Sequence, residues 1–325
     1  MSNKLLILAD KHHEALTKSL KILFKKRLGH KLFFPFGREW FDEGYWLIAR
    51  PYNDFPGTIN QYLVAPNGDR GISFDDFIKG DFDVVIASYI EHARAYYKMI
   101  NKYNLKAKLI VQMGNEWEVD WNITNNLLSS TKKFDVPSKK NVVFYHQEFD
   151  TNLFKFDIYV DGITAHARSF VHCITDDGLH KQDWKDFQEL EKQLPELKFE
   201  SYGISCREGT VQKQIDVASK MKDSKFGVHF KEGGDGYGHT IFNWFAVGRP
   251  VIYKGSQYKG KLAGELLVDG KTGFDFEKGN IVQRIQRLTD KRYHKMCMNT
   301  YKKFVEKVNF EQEAEDIKQF LKDLI

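Results

Sequence analysis

Cysteine is scarce: Cys173, Cys206 and Cys297 are the three in 325 residues. They are scattered and odd in number. That excludes a disulfide framework and zinc-finger spacing, and makes a reducing cytoplasm the expected setting. No apolar run reaches the ~18 residues a membrane-spanning helix needs. The opening MSNKLLILAD holds one lysine and a short apolar run, so a first strand is expected rather than a secretory signal. No repeat period is visible. Neither a P-loop nor G-x-G-x-x-G occurs. No D-x-D stands at a strand end, and the adjacent His12 and His13 lack a third ligand at suitable spacing. No metal is therefore expected. Charge of one sign is also in short supply: 49 Lys and Arg against 44 Asp and Glu leave +5. That excludes a histone-like polycation and fits an anionic membrane face, a nucleic acid or a small phosphate-bearing ligand. Lysine far outnumbers arginine, whereas base-reading sites favour arginine.

What is present suffices for packed cores: 42% hydrophobic and 14% aromatic residues, in a chain long enough for two domains. Residues 5–9 form a continuous apolar run, as a strand covered on both faces should. Residues 14–28 carry Leu16, Leu20, Leu23, Phe24 and Leu28 on one helical face, and Gly29 ends them. Residues 31–36 read as the next strand, so the chain opens β-α-β. Further strands are expected at 83–87, 108–111 and 142–145, with a helix at 91–103. Residues 40–63 are aromatic-rich and irregular. They read as an excursion whose aromatics either stack on a ligand or form a satellite core. The alternation resumes with strands at 169–174, 199–204, 226–230 and 251–253, and helices at 183–194, 211–221, 239–247 and 311–324. The expected fold is α/β: two doubly wound Rossmann-like domains, residues 1–165 and 166–325, facing a cleft. In such sheets ligands sit at the carboxyl ends of strands. His12, His13, Tyr89, Glu91, His92, Gln112, Gly114, Asn115 and Glu116 fall there in the first half. Lys18, Lys21, Lys25, Lys26 and Arg27 lie on the first helix, as a solvated face or a surface for an anionic partner.

The chain is organised around residues 231–250, KEGGDGYGHTIFNWFAVGRP. A strand precedes this stretch. Four glycines follow (Gly233, Gly234, Gly236, Gly238), then an apolar helix from His239, then Gly248 and Pro250 to stop it. A glycine loop opening a helix presents main-chain N–H groups and the positive end of the helix dipole to one spot, which suits a phosphate. Asp235 and His239 flank the loop, Asn243 lies one turn on, and VDGKTGF follows at 268–274. The bland reading is a tight turn.

DGYGHTIFNWFAVGRPVI followed by VDGKTGF resembles the donor-binding domain of retaining GT-B glycosyltransferases of the GT4-like group. The resemblance places Asp235 at the family's first acidic position and Asn243 at its second. Gly236, Tyr237 and Gly238 take its G-[FY]-G, and Ala246, Gly248, Pro250, Val251 and Ile252 the rest. The family's glutamates are Asp and Asn here, and Glu232 is a spare carboxylate for the first. The resemblance implies a nucleotide-sugar co-substrate, UDP- or GDP-linked, and neither metal nor other cofactor. Its diphosphate would rest on Gly234, Gly236, Gly238, His239 and Thr240, with countercharge from Arg207 or Lys231 and Arg168 third. Asp235 or Glu232 would meet the sugar, Asn243 the ribose, and His92 or His12 the sugar or the acceptor hydroxyl. Three functions stay open: transfer to a glycan or lipid-linked acceptor at the cytoplasmic membrane face; transfer to a modified base in DNA, as phage-type enzymes do; and a GT-B epimerase or non-catalytic binder. Fold alone does not choose among them, and oligomeric state is left undetermined.

Overall fold

The computed structural model describes residues 4–9, 14–45, 70–114, 119–131, 138, 140–156, 170–173, 181–203, 206–211, 213–232 and 236–325. They divide into two compact units: unit 1, Met1–Phe149 with Phe310–Ile325, and unit 2, Asp150–Asn309.

Unit 1 is a seven-stranded, all-parallel sheet. Its strands are β1 (Leu6–Ala9), β2 (Lys31–Pro35), β3 (Arg70–Ile72), β4 (Val84–Ala87), β5 (Lys108–Met113), β6 (Asn126–Ser129) and β7 (Asn141–Phe144), in the order β3-β2-β1-β4-β5-β6-β7. The winding reverses between β1 and β4, the switch point where doubly wound sheets bind ligands. The apolar runs are continuous because both faces are covered. Ile7, Val84, Ile86, Ile110 and Leu128 face one core; Leu8, Val85, Ala87, Val111 and Leu127 face the other. The first core is closed by α1 (Glu14–Leu20), by the π-helical segment Lys21–Arg27, and by the chain's last helix. The second is closed by residues of α2 (Glu39–Asp42), α3 (Phe74–Lys79) and α4 (Ile90–Lys102).

Unit 2 is a five-stranded parallel sheet of β8 (Phe170–Cys173), β9 (Lys198–Ser201), β10 (Phe226–His229), β11 (Val251–Tyr253) and β12 (Gly273–Asp275), in the order β12-β11-β10-β8-β9. Its winding reverses between β8 and β10. Its helices are α5 (Lys181–Gln193), α6 (Gln214–Asp223), α7 (His239–Ala246), α8 (Gly255–Tyr258), α9 (Ile281–Gln286) and α10 (Asp290–Lys307). The last helix, α11 (Phe310–Leu324), belongs to unit 1. Ala314, Ile317, Phe320 and Leu321 bury themselves in that unit's first core, and Glu313 accepts 2.7 Å bonds from the His146 backbone N–H and ring Nδ1.

The doubly wound α/β pattern expected from the sequence is the one that forms. Three strands lie outside the expected set: β3, β6 and β12, each of three or four residues with a glycine or polar residue in the run. The helix expected at 14–28 is α-helical only to Leu20. It then widens, with the Leu28 N–H reaching the Leu23 carbonyl, five residues back. Its basic residues are partly engaged within the unit: Arg27 makes a bidentate bond to Glu148 at 2.5 and 2.7 Å. Trp40 belongs to the core. It is fully buried, stacked on Phe77 and edge-on to Phe74, and donates to the Ile72 carbonyl. Residues 46–63 lie outside the described residues. No described helix is long and apolar enough to cross a membrane.

Candidate functional site

The glycine stretch leaves β10 at its carboxyl end, beside the unit 2 switch point. Lys231 follows the strand, with its backbone N–H held by the Gln257 side chain at 2.8 Å. Glu232 is exposed. Gly233, Gly234 and Asp235 lie outside the described residues. Gly236, Tyr237 and Gly238 are buried. Tyr237 lays its ring flat on Phe242, centroids 4.4 Å apart, which pins the loop to the helix it opens. Gly238 is the N-cap of α7 in the left-handed conformation, φ 76° and ψ 41°. A side chain there would be strained, and its Cβ would stand 2.9 Å from the Ala263 methyl.

Serine, threonine or aspartate usually caps a helix because its oxygen accepts from the first-turn N–H groups. Gly238 has no such oxygen and so gives α7 no side-chain cap of its own. The first-turn N–H groups, those of His239 and Thr240 among them, have no acceptor within the helix. They carry the positive end of its dipole. Asn243, one turn along the same face as His239, is 6% exposed, and its Oδ1 makes no hydrogen bond among the described residues. A buried amide oxygen without a donor costs about 1–3 kcal/mol. A ligand hydroxyl would remove that cost. The helix backs this corner with an apolar body: Ile241, Phe242, Trp244 and Phe245 are fully buried.

A polar network that the sequence reading did not single out reaches the root of the loop at Lys231. Lys254 follows β11 at the same sheet edge. Its Nζ bonds Asp183 and Asp186 at 2.5 Å each and lies 5.1 Å from the Phe230 ring centroid. Asp183 also accepts from the Gln257 amide at 3.0 Å, and Gln257 Oε1 holds Lys231. Helix α5, the β11–α8 turn and the root of the glycine loop are thus tied together. Burial pulls the Lys254 pKa down, but the two aspartates outweigh it and the net shift is upward. The available signal was positional: Lys254 is the first residue after a parallel strand.

Several expected residues fall elsewhere. Arg207 is not brought to the loop. It follows β9, which β8 separates from β10. Its guanidinium bonds Glu191, Glu208 and the Phe199 carbonyl, and these bonds answer its charge. Arg168 lies outside the described residues. The VDGKTGF element is at the opposite edge of the sheet: Gly273 opens β12 and pairs with Val251, the first residue of β11. There Thr272 bonds the Val268 N–H and the Leu266 carbonyl, and Asp269 bonds Arg284 at 2.6 Å. It is a sheet-edge turn. Arg249, within the AVGRP run, donates to the Lys222, Ser224 and Val247 carbonyls and so answers the carboxyl end of α6.

In unit 1, His92 is on the first turn of α4, at the carboxyl end of β4 and beside that unit's own switch point. It is 3% exposed, edge-on to Tyr89. Glu91 Oε2 is buried with no hydrogen bond among the described residues. Gln112 is buried: its Nε2 bonds Ser130 and Tyr145, both at 3.1 Å, and its Oε1 makes no hydrogen bond among the described residues. His12, His13, Asn115 and Glu116 lie outside the described residues.

No protein-family model and no curated protein matches the sequence. Solved structures do. HepE of Anabaena, in complex with UDP and glucose, superposes with a TM-score of 0.67 at 11% identity, over 98% of this chain and 100% of that one. A glycosyltransferase of Rickettsia africae superposes at 0.66 and 13% identity, over 99% of both chains. Sucrose-phosphate synthase of Thermosynechococcus elongatus superposes at 0.64 and 9% identity, again over 99% of both. At such identities the likeness is one of fold, and the fold of this chain is the GT-B fold those glycosyltransferases share.

Proposed function

We propose that this protein is a glycosyltransferase that draws on a nucleotide-sugar donor. The observation carrying this reading is the opening of α7. A left-handed glycine cap offers no side-chain oxygen of its own to the first turn of α7 at the carboxyl end of β10, and the buried Asn243 Oδ1 makes no hydrogen bond among the described residues. The donor diphosphate rests on the main-chain N–H groups from Gly236 to Thr240. Lys231, at the root of the loop, supplies countercharge. Asn243 meets a ribose hydroxyl, accepting through Oδ1. Asp235, or the exposed Glu232, takes the sugar hydroxyls. UDP is the first nucleotide to try, because HepE was solved with it and with UDP-glucose.

The acceptor is a glycan or lipid-linked hydroxyl, handled by unit 1 at its own strand ends, where His92 shares the hydroxyl proton. Transfer proceeds with retention and without metal. The leaving phosphate then takes the acceptor proton, so no protein base is obligatory. The reaction takes place in the cytoplasm.

Thermal shift against UDP, GDP, ADP, CMP and their sugars tests the donor site, since a ligand at 100 times its Kd adds about 2.7 kcal/mol of stability. One nucleotide should raise Tm. Gly236→Val should abolish the shift by blocking close approach to the backbone. Asp235→Ala should lose turnover more than binding. Wild-type shift and turnover in both variants would overturn the assignment.

A further inference from the structure

A second concave surface of unit 2 lies at the amino edge of the sheet, opposite the glycine loop. It is a groove of about 900 Å³ floored by α10, the end of α9 and the turn before β12. Lys271, Arg287, Arg292, Lys295 and Lys302 line it, and none has an acidic partner among the described residues. Arg284 and Lys303 also line it but are paired, with Asp269 and Glu306. Among the described residues, seven cations thus face one lining carboxylate, Glu306, a local excess larger than the +5 of the whole chain. The weak overall basicity is concentrated on this face.

The arrangement is linear. Arg292, Lys295, Asn299 and Lys302 recur at i, i+3, i+7 and i+10 along α10, one stripe about 15 Å long at 1.5 Å per residue. Arg287 and Lys271 widen it. A row of unpaired cations in a groove matches a ligand with repeating negative charge. A bilayer is the poorer match. The surface is concave, and its apolar lining, Leu288, Met296 and Phe274, is half-buried or buried. Exposed Val305 on the same helix stands alone as an apolar anchor, where interfacial helices present a whole apolar face. No exposed aromatic among the described residues lines the groove, so stacking on bases has no platform there.

We propose that this groove binds the phosphodiester backbone of nucleic acid, without regard to sequence. Backbone contacts of this kind orient a protein on its ligand and carry no base information. The inference does not rest on the glycosyl-transfer reading, and the nucleotide-induced thermal shift is independent of it.

Fluorescence anisotropy with a labelled random-sequence duplex and a single strand, across a salt series, is the test. Duplex binding should weaken steeply with salt, with a log–log slope of about −0.9 per phosphate neutralised. The triple variant Arg287→Glu, Arg292→Glu, Lys295→Glu should lose at least about tenfold in affinity and flatten the slope by about three units. A control, Lys185→Glu, Lys192→Glu, Lys213→Glu, changes net charge equally away from the groove and should bind nearly as wild type. All six positions are exposed, and circular dichroism should show both triples folded. Equal losses in the two triples, unchanged binding in the first, or binding to phosphatidylserine vesicles with none to nucleic acid would each overturn the proposal.

Discussion

At the scale of single residues, the site depends on groups whose role is set by what surrounds them. Lys254 and Asp183 are a buried pair, with side chains 11% and 2% exposed. Removing one partner of such a pair leaves an uncompensated charge, at a cost of about 3–5 kcal/mol. Lys254→Met should therefore lower the midpoint in urea by that equivalent. The sign with pH follows from the raised lysine pKa. Its contribution is complete below the unfolded value of about 10.4 and disappears as pH rises through the higher folded value. The gap between wild type and Lys254→Met should stay constant from pH 7 to 9 and shrink above about pH 10.5. Cys297 makes a second test. Burial pushes its thiol up to about 11, and it is 1% exposed. Since the thiolate is the nucleophile, Cys297 should resist iodoacetamide at pH 8 and be alkylated only when urea unfolds the chain, read by peptide mass spectrometry. Asn243 was visible in the sequence as a candidate, but its bare buried oxygen was not. Arg207 shows the converse: its basicity was legible, and the two glutamates that answer it were not.

At the scale of elements, the β10–loop–α7–β11 unit was readable almost to the residue. Each of its parts obeys a local rule: an apolar run, glycines, an apolar helix, then Gly248 and Pro250 as a stop. What that reading missed is how closely α7 lies on its strand. Gly227, in the middle of β10, lets the Trp244 indole reach the backbone. A Cβ there would stand 2.5 Å from the ring. Gly227→Ala should cost about 1–3 kcal/mol through overpacking and should weaken nucleotide binding by tilting the helix whose amides form the site. Denaturant titration and the UDP thermal shift check both halves. A variant of unchanged stability would show that Trp244 has room to move. The short strands β3, β6 and β12 were not legible. Three or four residues carry too little periodicity, and these are strands because their neighbours in the sheet supply partners.

At the scale of the whole molecule, the chain leaves unit 1, builds unit 2 and returns. Helix α11 then closes the first core of unit 1 through Ala314, Ile317, Phe320 and Leu321. Burying Ile317, Phe320 and Leu321 contributes about 1.5–3 kcal/mol each, comparable in sum with the total stability of a domain. Deleting residues 310–325 should therefore unfold unit 1 rather than trim a tail. Limited proteolysis should degrade residues 1–149 in the truncated chain while sparing 150–309. Glu313→Ala should give a milder form of the same effect, because it takes the partner from His146.

By itself the sequence determined the class of the fold and the place of the glycine loop, because both rest on rules that act within about 20 residues: periodicity, chain reversal and helix stop signals. Only the tertiary structure decided which charges are answered and which are bare. It joined Lys254 to Asp183 across 71 residues, engaged Arg207, and set the VDGKTGF turn and the cationic groove at the far edge of the sheet from the loop. Charge pairing depends on distance in space, and spacing along the chain does not report it.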